Sequence, residues 1–328
     1  EAHPLLSPDD RFADYETWDF GDFAGVLKKE DMIAKEYARE ALKQGLALET
    51  KYGTNPYKFG MIGSTDSHTS LATAEEDNFY GKHSANMEPQ PNRWKDAVGG
   101  RGDVTIPGFL MASSGYAAVW AAENTREAIW DALQRREVYA TTGSRITVRF
   151  FGGWDFTEDD LYASNMSDLG YQRGVPMGAS LKEAESEAPV FMLHAAKDPN
   201  SANLDRLQVI KGWEDEAGMV HEKVFNVDWS NPELRGLDAD GKVADIPSTV
   251  EGATYSHRYG APELSALWQD PEFKAGQKAF YYARVIEVPS PRWTAYDASK
   301  FGLVLPEYVQ KTTQERAYSS PIWYDPAQ

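Results

Sequence analysis

The sequence of 328 residues contains no cysteine, which excludes disulfide bonds, thiolate metal sites and cysteine nucleophiles. Any bound metal must therefore be held by histidine, carboxylate or backbone oxygen ligands, which suit hard or borderline cations. The lack of cysteine is compatible with export but does not fix the compartment.

Long apolar runs and an excess of positive charge are also missing. No stretch approaches the roughly 20 apolar residues that a membrane-spanning helix needs. Aspartate and glutamate number 51 against 33 lysines and arginines, and the net charge is −18. A surface this acidic repels phosphate backbones and anionic lipid, so we expect neither a nucleic-acid nor a membrane partner.

The first half of the chain has the element order of an α/β domain. A helix is predicted over 28–52, followed by a buried strand over 57–63 and a polar loop over 64–70. Functional groups in such domains gather at the C-terminal ends of strands. The next segment, 74–108, is long enough to be a lid or a binding loop. A second helix is predicted over 125–136.

That second helix has a recognisable start. Asn124 is predicted to be its N-cap, with Glu127 completing a capping box. Ile129 and Leu133 supply the apolar stripe that would face the core.

The second half is predicted to be mainly antiparallel β structure, sandwich-like, because its apolar runs are rich in β-branched and aromatic residues. Convincing helices are few in this half, and the best short one is predicted over 262–268. The acidic stretch 157–187 is predicted to be a solvated excursion. The boundary is placed near residue 150, which gives an α/β part over 1–150 and a β-rich accessory domain over 151–328. The predicted strand-like runs are 146–151, 190–195, 207–210, 224–229 and 280–288, with 138–142 at the end of the first half.

The sharpest chemical feature is Asp66-Ser67-His68, directly after the predicted strand. A carboxylate and an imidazole two residues apart on extended backbone point to the same side, where both can reach one cation or two adjacent cations. Zinc, manganese or iron accepts such mixed ligands. The alternative is that Asp66 caps the next turn and His68 is an ordinary hydrogen-bonded histidine.

Three segments carry a resemblance to a known family. The run Gly60-Met61-Ile62-Gly63-Ser64-Thr65-Asp66-Ser67-His68-Thr69 resembles the last metal motif of the PHP (polymerase and histidinol phosphatase) superfamily. The segment 136–145 is similar to the stretch C-terminal to that motif in the subfamily that contains the carbaryl hydrolases. The segment 279–287, with Pro291-Arg292-Trp293, resembles a large uncharacterised bacterial branch of that subfamily. Together the three segments are specific, whereas each alone is not.

The resemblance implies the C-terminal part of a distorted α/β barrel with two or three divalent metals at its mouth. Metal-activated water would attack an ester, carbamate or phosphoester in a small-molecule substrate. Asp66 and His68 are the two ligands that carry over. The same resemblance implies a bacterial source, and among compartments an exported or periplasmic location is favoured.

One departure from the family limits what this chain is expected to do alone. The family begins with a His-x-His motif, and none of the six histidines here forms one. We therefore expect a processed or truncated start, with the N-terminal half of the barrel supplied as a separate segment or chain. The chain would be a metal-dependent hydrolase once completed by that half, and self-association is another way to cover an incomplete barrel.

Several other residues are lesser candidates. Glu1 and His3 are either metal ligands or part of a loose terminus. His83 either contacts substrate or is a surface histidine. Arg145 either clamps an anionic substrate or forms a structural salt bridge between domains. Convergence of Arg145, Lys82 or Arg101 on the metal pocket would favour an anionic substrate.

Two other classes of function remain open. The chain is alternatively a non-catalytic binding module, which exposed tryptophans clustered on one sheet face would favour. It is otherwise an inert fragment of a hydrolase.

Overall fold

The computed structural model describes residues 1–17, 19, 21, 25–64, 66–71, 75–83, 87–102, 104–113, 115–181 and 187–326. The helices in these ranges are α1 (Glu30–Ile33), α2 (Ala38–Tyr52), α3 (Arg126–Gln134), α4 (Glu158–Leu161), α5 (Met166–Arg173) and α6 (Trp293–Phe301), with 3-10 turns at Glu76–Asn78 and Gly108–Leu110. The strands are β1 (Ala97–Arg101), β2 (Val104–Pro107), β3 (Tyr116–Val119), β4 (Val138–Thr141), β5 (Thr147–Gly153), β6 (Gly174–Pro176), β7 (Ser180–Leu181), β8 (Val190–Ala196), β9 (Leu204–Glu214), β10 (Val220–Trp229), β11 (Glu263–Gln269), β12 (Ala279–Glu287), β13 (Ser290–Pro291), β14 (Thr312–Thr313), β15 (Arg316–Ser319) and β16 (Ile322–Tyr324).

Most strands belong to two sheets. The larger has eight strands in the order β10-β9-β12-β15-β4-β3, with β16 paired to β12 and β7 paired to β16. The smaller has the order β11-β8-β5-β6. The β16–β7 pair is parallel, whereas the long ladders of both sheets are antiparallel. The described strands form no closed barrel.

The two sheets pack face to face around one apolar core. Val148 and Phe191 of the smaller sheet meet Val209 and Tyr281 of the larger one, and all four are fully buried. The rings of Phe191 and Tyr281 lie 4.5 Å apart between centroids. Alternate residues of each strand face this core, as expected for stacked sheets. The prediction of a β-rich, sandwich-like part is thus confirmed.

Helices cover the outer faces of both sheets. Leu42 and Leu46 of α2 are buried against Ile210 and Phe280 on the larger sheet. Helices α4 and α5 pack on the smaller sheet through a second cluster, made of Phe151, Phe156, Leu161, Met166 and Met192. The predicted solvated excursion over 157–187 is therefore wrong for its described residues, because these buried side chains tie it to the sheet. Residues 182–186 of that stretch lie outside the described residues.

The α/β character is confirmed only in coarse form, as mixed helix and sheet with sheet predominating. The barrel part of the expectation stays a prediction. Strands β3 and β4, which precede residue 150, share the larger sheet with β9, β12 and β15, which lie after it in the chain. The division at residue 150 also stays a prediction.

The helices of the first half differ in detail from their predictions. The helix expected over 28–52 is broken into α1 and α2, and Gly53 ends α2 in the left-handed conformation with φ of 74°. The N-cap of α3 is Thr125 rather than Asn124, because the Thr125 hydroxyl accepts the Ala128 N–H at 3.3 Å. Leu133 is exposed, and Ala132 is the buried residue of α3.

The strand predicted over 57–63 is wrong, because no residue of that segment belongs to a strand. Its hydrogen bonds do not form a ladder: Gly63 N–H donates to Tyr116 O at 3.1 Å, and Met61 N–H donates to the Ser320 hydroxyl at 2.9 Å. The segment crosses strands β3 and β4 at close range rather than pairing alongside them.

The helix predicted over 262–268 is also wrong, because this segment is strand β11. It pairs along its whole length with β8, with Leu264 opposite Ala195 and Ala266 opposite Leu193. Leu264 and Ala266 alternate into the core, so sheet pairing outweighed local helix propensity. The other predicted strands are confirmed with shifted ends, while α6, β15 and β16 were not predicted.

Candidate functional site

The motif segment is held against the end of strands β3 and β4. Besides the bond from Gly63, the Gly115 N–H donates to Ser64 O at 2.9 Å. A Cβ on Gly63 would lie 2.4 Å from Thr141 O and 2.6 Å from Tyr116 O, so only glycine fits between these backbones. The chain emerges from this crossing directly into the Asp66 loop; Thr65 lies outside the described residues.

Asp66 and His68 lie in a tight exposed turn. Asp66 has a φ of 46°, which is the left-handed region and is uncommon for residues other than glycine. The hydroxyls of Ser67 and Thr69 lie 2.7 Å apart and close the turn. The His68 N–H donates to Lys82 O at 2.7 Å, which ties the turn to the segment that carries His83.

His68 and His83 face each other. Their ring centroids are 4.7 Å apart, and the ring planes are tilted by 35°. His68 is exposed and His83 is half-buried. Of the sequence-predicted candidates, the structure therefore brings together His68 and His83 in the loops that also carry Asp66.

The lysine that precedes His83 in the chain is buried. The Lys82 ammonium is 3.4 Å from Ser113 O. Burial lowers the pKa of Lys82, while the nearby carboxylates of Asp66, Glu16 and Glu76 oppose that change. Positive charge thus lies close to Asp66, while an anionic substrate stays a prediction.

Glu76 is a buried carboxylate whose negative charge interacts with Lys82. Its carboxylate accepts the Ser113 hydroxyl at 2.7 Å and the Trp293 N–H at 2.6 Å. Burial raises the pKa of Glu76, and the guanidinium of Arg292 counteracts part of that rise. Arg292 is itself buried and donates to both oxygens of Glu16, at 2.8 Å and 2.9 Å.

Two further buried carboxyl groups lie behind these. Glu315 accepts a hydrogen bond from the Thr142 hydroxyl, and burial raises its pKa well above the usual range. Glu287 accepts hydrogen bonds from the hydroxyls of Ser144 and Ser201, and burial nevertheless raises its pKa to about 7.

Arg145 lies at the rim of the same region. Its guanidinium is 3.7 Å from the Glu75 carboxylate and 5.5 Å from the centre of the Tyr116 ring. Its side chain is 68% exposed, and its backbone N–H donates to Asp198 at 2.8 Å. Arg101 instead ends strand β1, with its carbonyl against Gly25.

Glu1 and His3 have their own partners. Glu1 pairs with Arg39 at 2.6 Å and with Arg284 at 3.4 Å. His3 is buried, with Nε2 3.1 Å from Asp19 and Nδ1 accepting the Leu5 N–H at 3.2 Å. Both ring nitrogens of His3 are thus engaged, and the ligand role of either residue stays a prediction.

The remaining histidines have ordinary surroundings. Nδ1 of His194, in strand β8, is 2.8 Å from the Ser265 hydroxyl. Nε2 of His221 is 2.6 Å from Asp215, and the ring stacks on Trp213. The ring of His257 contacts Tyr255.

A comparison with known families identifies the family of the chain. A family profile with the description "protein of unknown function (DUF3604)" matches residues 1–326. The chain belongs to the DUF3604 family. No curated protein and no solved structure matches this DUF3604 chain significantly.

The donor chemistry of the DUF3604 loops fits a metal only in part. Two imidazoles and a carboxylate are the nitrogen and oxygen ligands that zinc, manganese and iron take. Among the described residues, however, no group of three or more histidine, aspartate or glutamate side chains has the geometry to hold an ion. In the same ranges, no helix is long and apolar enough to span a bilayer.

A cavity in the described part of the DUF3604 chain lies elsewhere. It measures about 710 Å³ and lies between the segment 6–12, strands β9 and β10, and residues 240–243. Its charged side chains include Asp10, Glu222 and Arg206, which are already held in buried ion pairs. The candidate site is therefore the pair His68 and His83 rather than this cavity.

Sequence reasoning missed Glu76 and Arg292 as parts of this DUF3604 site, and it named Lys82 only as an indicator of substrate charge. Glu76 and Lys82 belong to a charged stretch that is typical of a solvated loop, and their burial depends on distant elements. A weak signal for Arg292 was available, since it stands inside one of the three segments that resemble the PHP superfamily.

Proposed function

We propose that this DUF3604 chain carries part of the active site of a metal-dependent hydrolase, centred on Asp66, His68 and His83. The observation that carries the proposal is the approach of the His68 and His83 rings to 4.7 Å in the loops next to Asp66. Rings this close leave no room for a ligand between their faces, so a ligand that they share would be bound by ring nitrogens at their edges. A shared cation is the simplest such ligand, because neutral imidazole nitrogens are common metal ligands.

The backbone around the three residues supports a positioned site. The left-handed conformation of Asp66 costs about 1–3 kcal/mol and persists where the surroundings over-determine it, which is frequent at functional sites. The bond from His68 N–H to Lys82 O fixes the two loops relative to each other. Lys82 lies close enough to Asp66 for the two charges to attract each other.

A divalent ion at this place would lower the pKa of a bound water and polarise the bond to be cleaved. Zinc enzymes use three protein ligands as a rule, but no three of the described side chains are placed to hold one ion together, so at least one ligand is missing from the described set. We propose that it comes from another polypeptide segment, in keeping with the family resemblance, which also implies two or three ions. The expected substrate is a small ester, carbamate or phosphoester.

Metal binding by the chain itself is the direct test. Zn²⁺ and Mn²⁺ are titrated into the metal-free chain by calorimetry, and the same titrations are made with His68→Ala, His83→Ala and Asp66→Ala. We expect each substitution to weaken binding at least about tenfold, because each removes a ligand. His257→Ala is the matched control, since His257 is exposed and remote in sequence.

The titrations distinguish metal binding at Asp66, His68 and His83 from binding elsewhere. Loss of affinity in the three variants with an unchanged control supports the proposal. Equal affinity of wild type, His68→Ala and His83→Ala would place any bound metal elsewhere and overturn it. A screen of phenyl esters, carbamates and phosphoesters, with and without a chelator, then tests whether the metal-loaded protein hydrolyses them.

A further inference from the structure

A small groove opens beside the candidate site, at the ends of strands β3 and β4. It measures about 240 Å³. Its walls are largely apolar or aromatic and come from Ala117, Ala118, Tyr139 and Ile146. Pockets that enclose a whole drug-sized ligand are usually about 300–1,000 Å³, so this one suits a single arm of a ligand.

The groove is continuous with the segment that leads to Asp66. Tyr116 lines it and accepts the Gly63 N–H through its carbonyl at 3.1 Å. Thr141 lines it as well, and its backbone oxygen is the first atom that a Cβ on Gly63 would meet. A molecule lying in the groove therefore has one end beside the backbone that turns into the Asp66 loop.

Arg145 supplies positive charge at the open side of the groove. A hydrogen bond to the Tyr116 hydroxyl, together with the negative field of Glu75, raises the pKa of Arg145, so the guanidinium is cationic at any physiological pH. Its ion pair with Glu75 is long, at 3.7 Å, and exposed on both sides. Such pairs contribute little, so a ligand anion can replace Glu75 at low cost.

The Thr141 hydroxyl is an unpaired hydrogen-bonding group. Its hydroxyl is buried and has no hydrogen-bond partner among the described residues. Thr141 is only 3% exposed, and a buried polar group left unpaired costs about 1–3 kcal/mol. A ligand oxygen that accepted this hydroxyl would recover that cost. The groove thus combines an apolar wall, a cation and an unused donor.

We propose that the groove binds an arm of the substrate that has an apolar, preferably aryl, body and ends in a carboxylate. The ring would lie against the apolar wall, and the carboxylate would pair with the planar guanidinium of Arg145, which matches it in shape and charge. This inference rests on the proposed function in one respect, since it takes the neighbouring Asp66–His68–His83 loops as the reacting end. It makes Arg145 and Thr141 specificity-determining residues.

Benzoate is the probe, and benzamide is its neutral counterpart. Binding to the full metal-free chain is followed by saturation-transfer NMR and by titration of tyrosine chemical shifts. We expect saturable benzoate binding and at least about fivefold weaker binding by Arg145→Gln, as for the loss of a charge-assisted pair. Benzamide should bind more weakly than benzoate and be insensitive to that substitution.

Two further variants sharpen the test. Arg101→Gln removes an exposed arginine outside the groove and should leave benzoate affinity unchanged. Thr141→Val keeps the side-chain shape without the hydroxyl, so it should weaken benzoate binding while unfolding stability stays equal or rises. Equal binding by wild type and Arg145→Gln, or equal affinity for benzoate and benzamide, would overturn the proposal. Markedly tighter binding of phenyl phosphate than of benzoate would overturn the choice of carboxylate.

This result is independent of the metal test. Benzoate binding without metal affinity would support the groove and refute the hydrolase. Metal affinity lost in the histidine variants, with no benzoate binding, would support the hydrolase and refute the groove.

Discussion

Arg284 donates hydrogen bonds to both carboxylate oxygens of Asp10, at 2.9 Å and 2.7 Å, and all of these groups are buried. Arg39 donates to the same carboxylate at 2.7 Å and also pairs with Glu222 at 2.8 Å. The N-terminal segment is thereby fastened to the helix-covered face of the larger sheet. Burial by itself would raise the pKa of Asp10, but the two guanidinium groups hold it well below its usual range.

Replacing Asp10 with asparagine should therefore destabilise the protein severely. The substitution leaves Arg39 and Arg284 buried with less compensating charge, which costs about 3–5 kcal/mol in comparable buried pairs. Urea unfolding at pH 7 measures the change. The neighbouring exposed Asp9→Asn should alter the free energy of unfolding by less than about 0.5 kcal/mol.

The pH dependence of the Asp10 contribution has a definite sign. Because the folded pKa of Asp10 is depressed, its stabilisation is complete above the unfolded pKa near 4 and is lost as the pH falls below that value. The difference in stability between wild type and Asp10→Asn should therefore shrink in acid. If the difference in stability between wild type and Asp10→Asn is the same at pH 7 and pH 3, the negative charge of Asp10 does not stabilise the fold.

Glu287 should give stability the opposite dependence on pH. Its folded pKa, about 7, lies above the unfolded value near 4.3, so the folded protein holds an extra proton between those values. Stability should fall as the pH rises from 5 to 8, with a Glu287 share of about 1–3 kcal/mol. Glu287→Gln should remove that share and be more stable than wild type at pH 8, whereas Glu263→Gln, at an exposed position, should retain the wild-type slope.

Gly63→Ala should disturb the candidate site from a distance. The new methyl group would collide with the backbone oxygens of Thr141 and Tyr116, which cannot move without shifting strands β4 and β3. We expect a loss of about 1–3 kcal/mol in unfolding free energy, as for overpacking, together with weaker metal binding. Gly236→Ala meets no atom within 4 Å and should change neither quantity; equal behaviour of the two variants would contradict the crossing geometry.

Asp66 offers a way to separate strain from ligand chemistry. In the left-handed conformation glycine and asparagine are tolerated better than alanine, by about 1 kcal/mol. Asp66→Asn and Asp66→Gly should therefore keep wild-type stability, while Asp66→Ala loses about that amount. All three should lose metal affinity. Unchanged metal binding by Asp66→Asn would show that the carboxylate is not a ligand.

Secondary structure could be predicted from the sequence where the residues of one segment are enough to specify it. The apolar runs of β5, β8, β9 and β12 are rich in β-branched and aromatic residues, which favour strands. Gly53 ends α2 because glycine accepts the left-handed cap without strain. The Asp66–His68 turn could be singled out in the same way. The helix predicted over 262–268 was wrong because a short apolar run is compatible with either a helix or a strand. Only its pairing with β8 makes the segment a strand.

The sequence by itself thus determined the cysteine-free ligand chemistry, the acidic surface, most strand positions and the Asp66–His68 motif, because each depends on composition or local periodicity. Tertiary structure alone decided that His83 meets His68, that Lys82 and Glu76 are buried, and that Arg145 and Thr141 line one groove. These groups are brought together by the packing of loops on the ends of β3 and β4. Such non-local contacts have no periodicity in the chain, so no pattern in the sequence could disclose them.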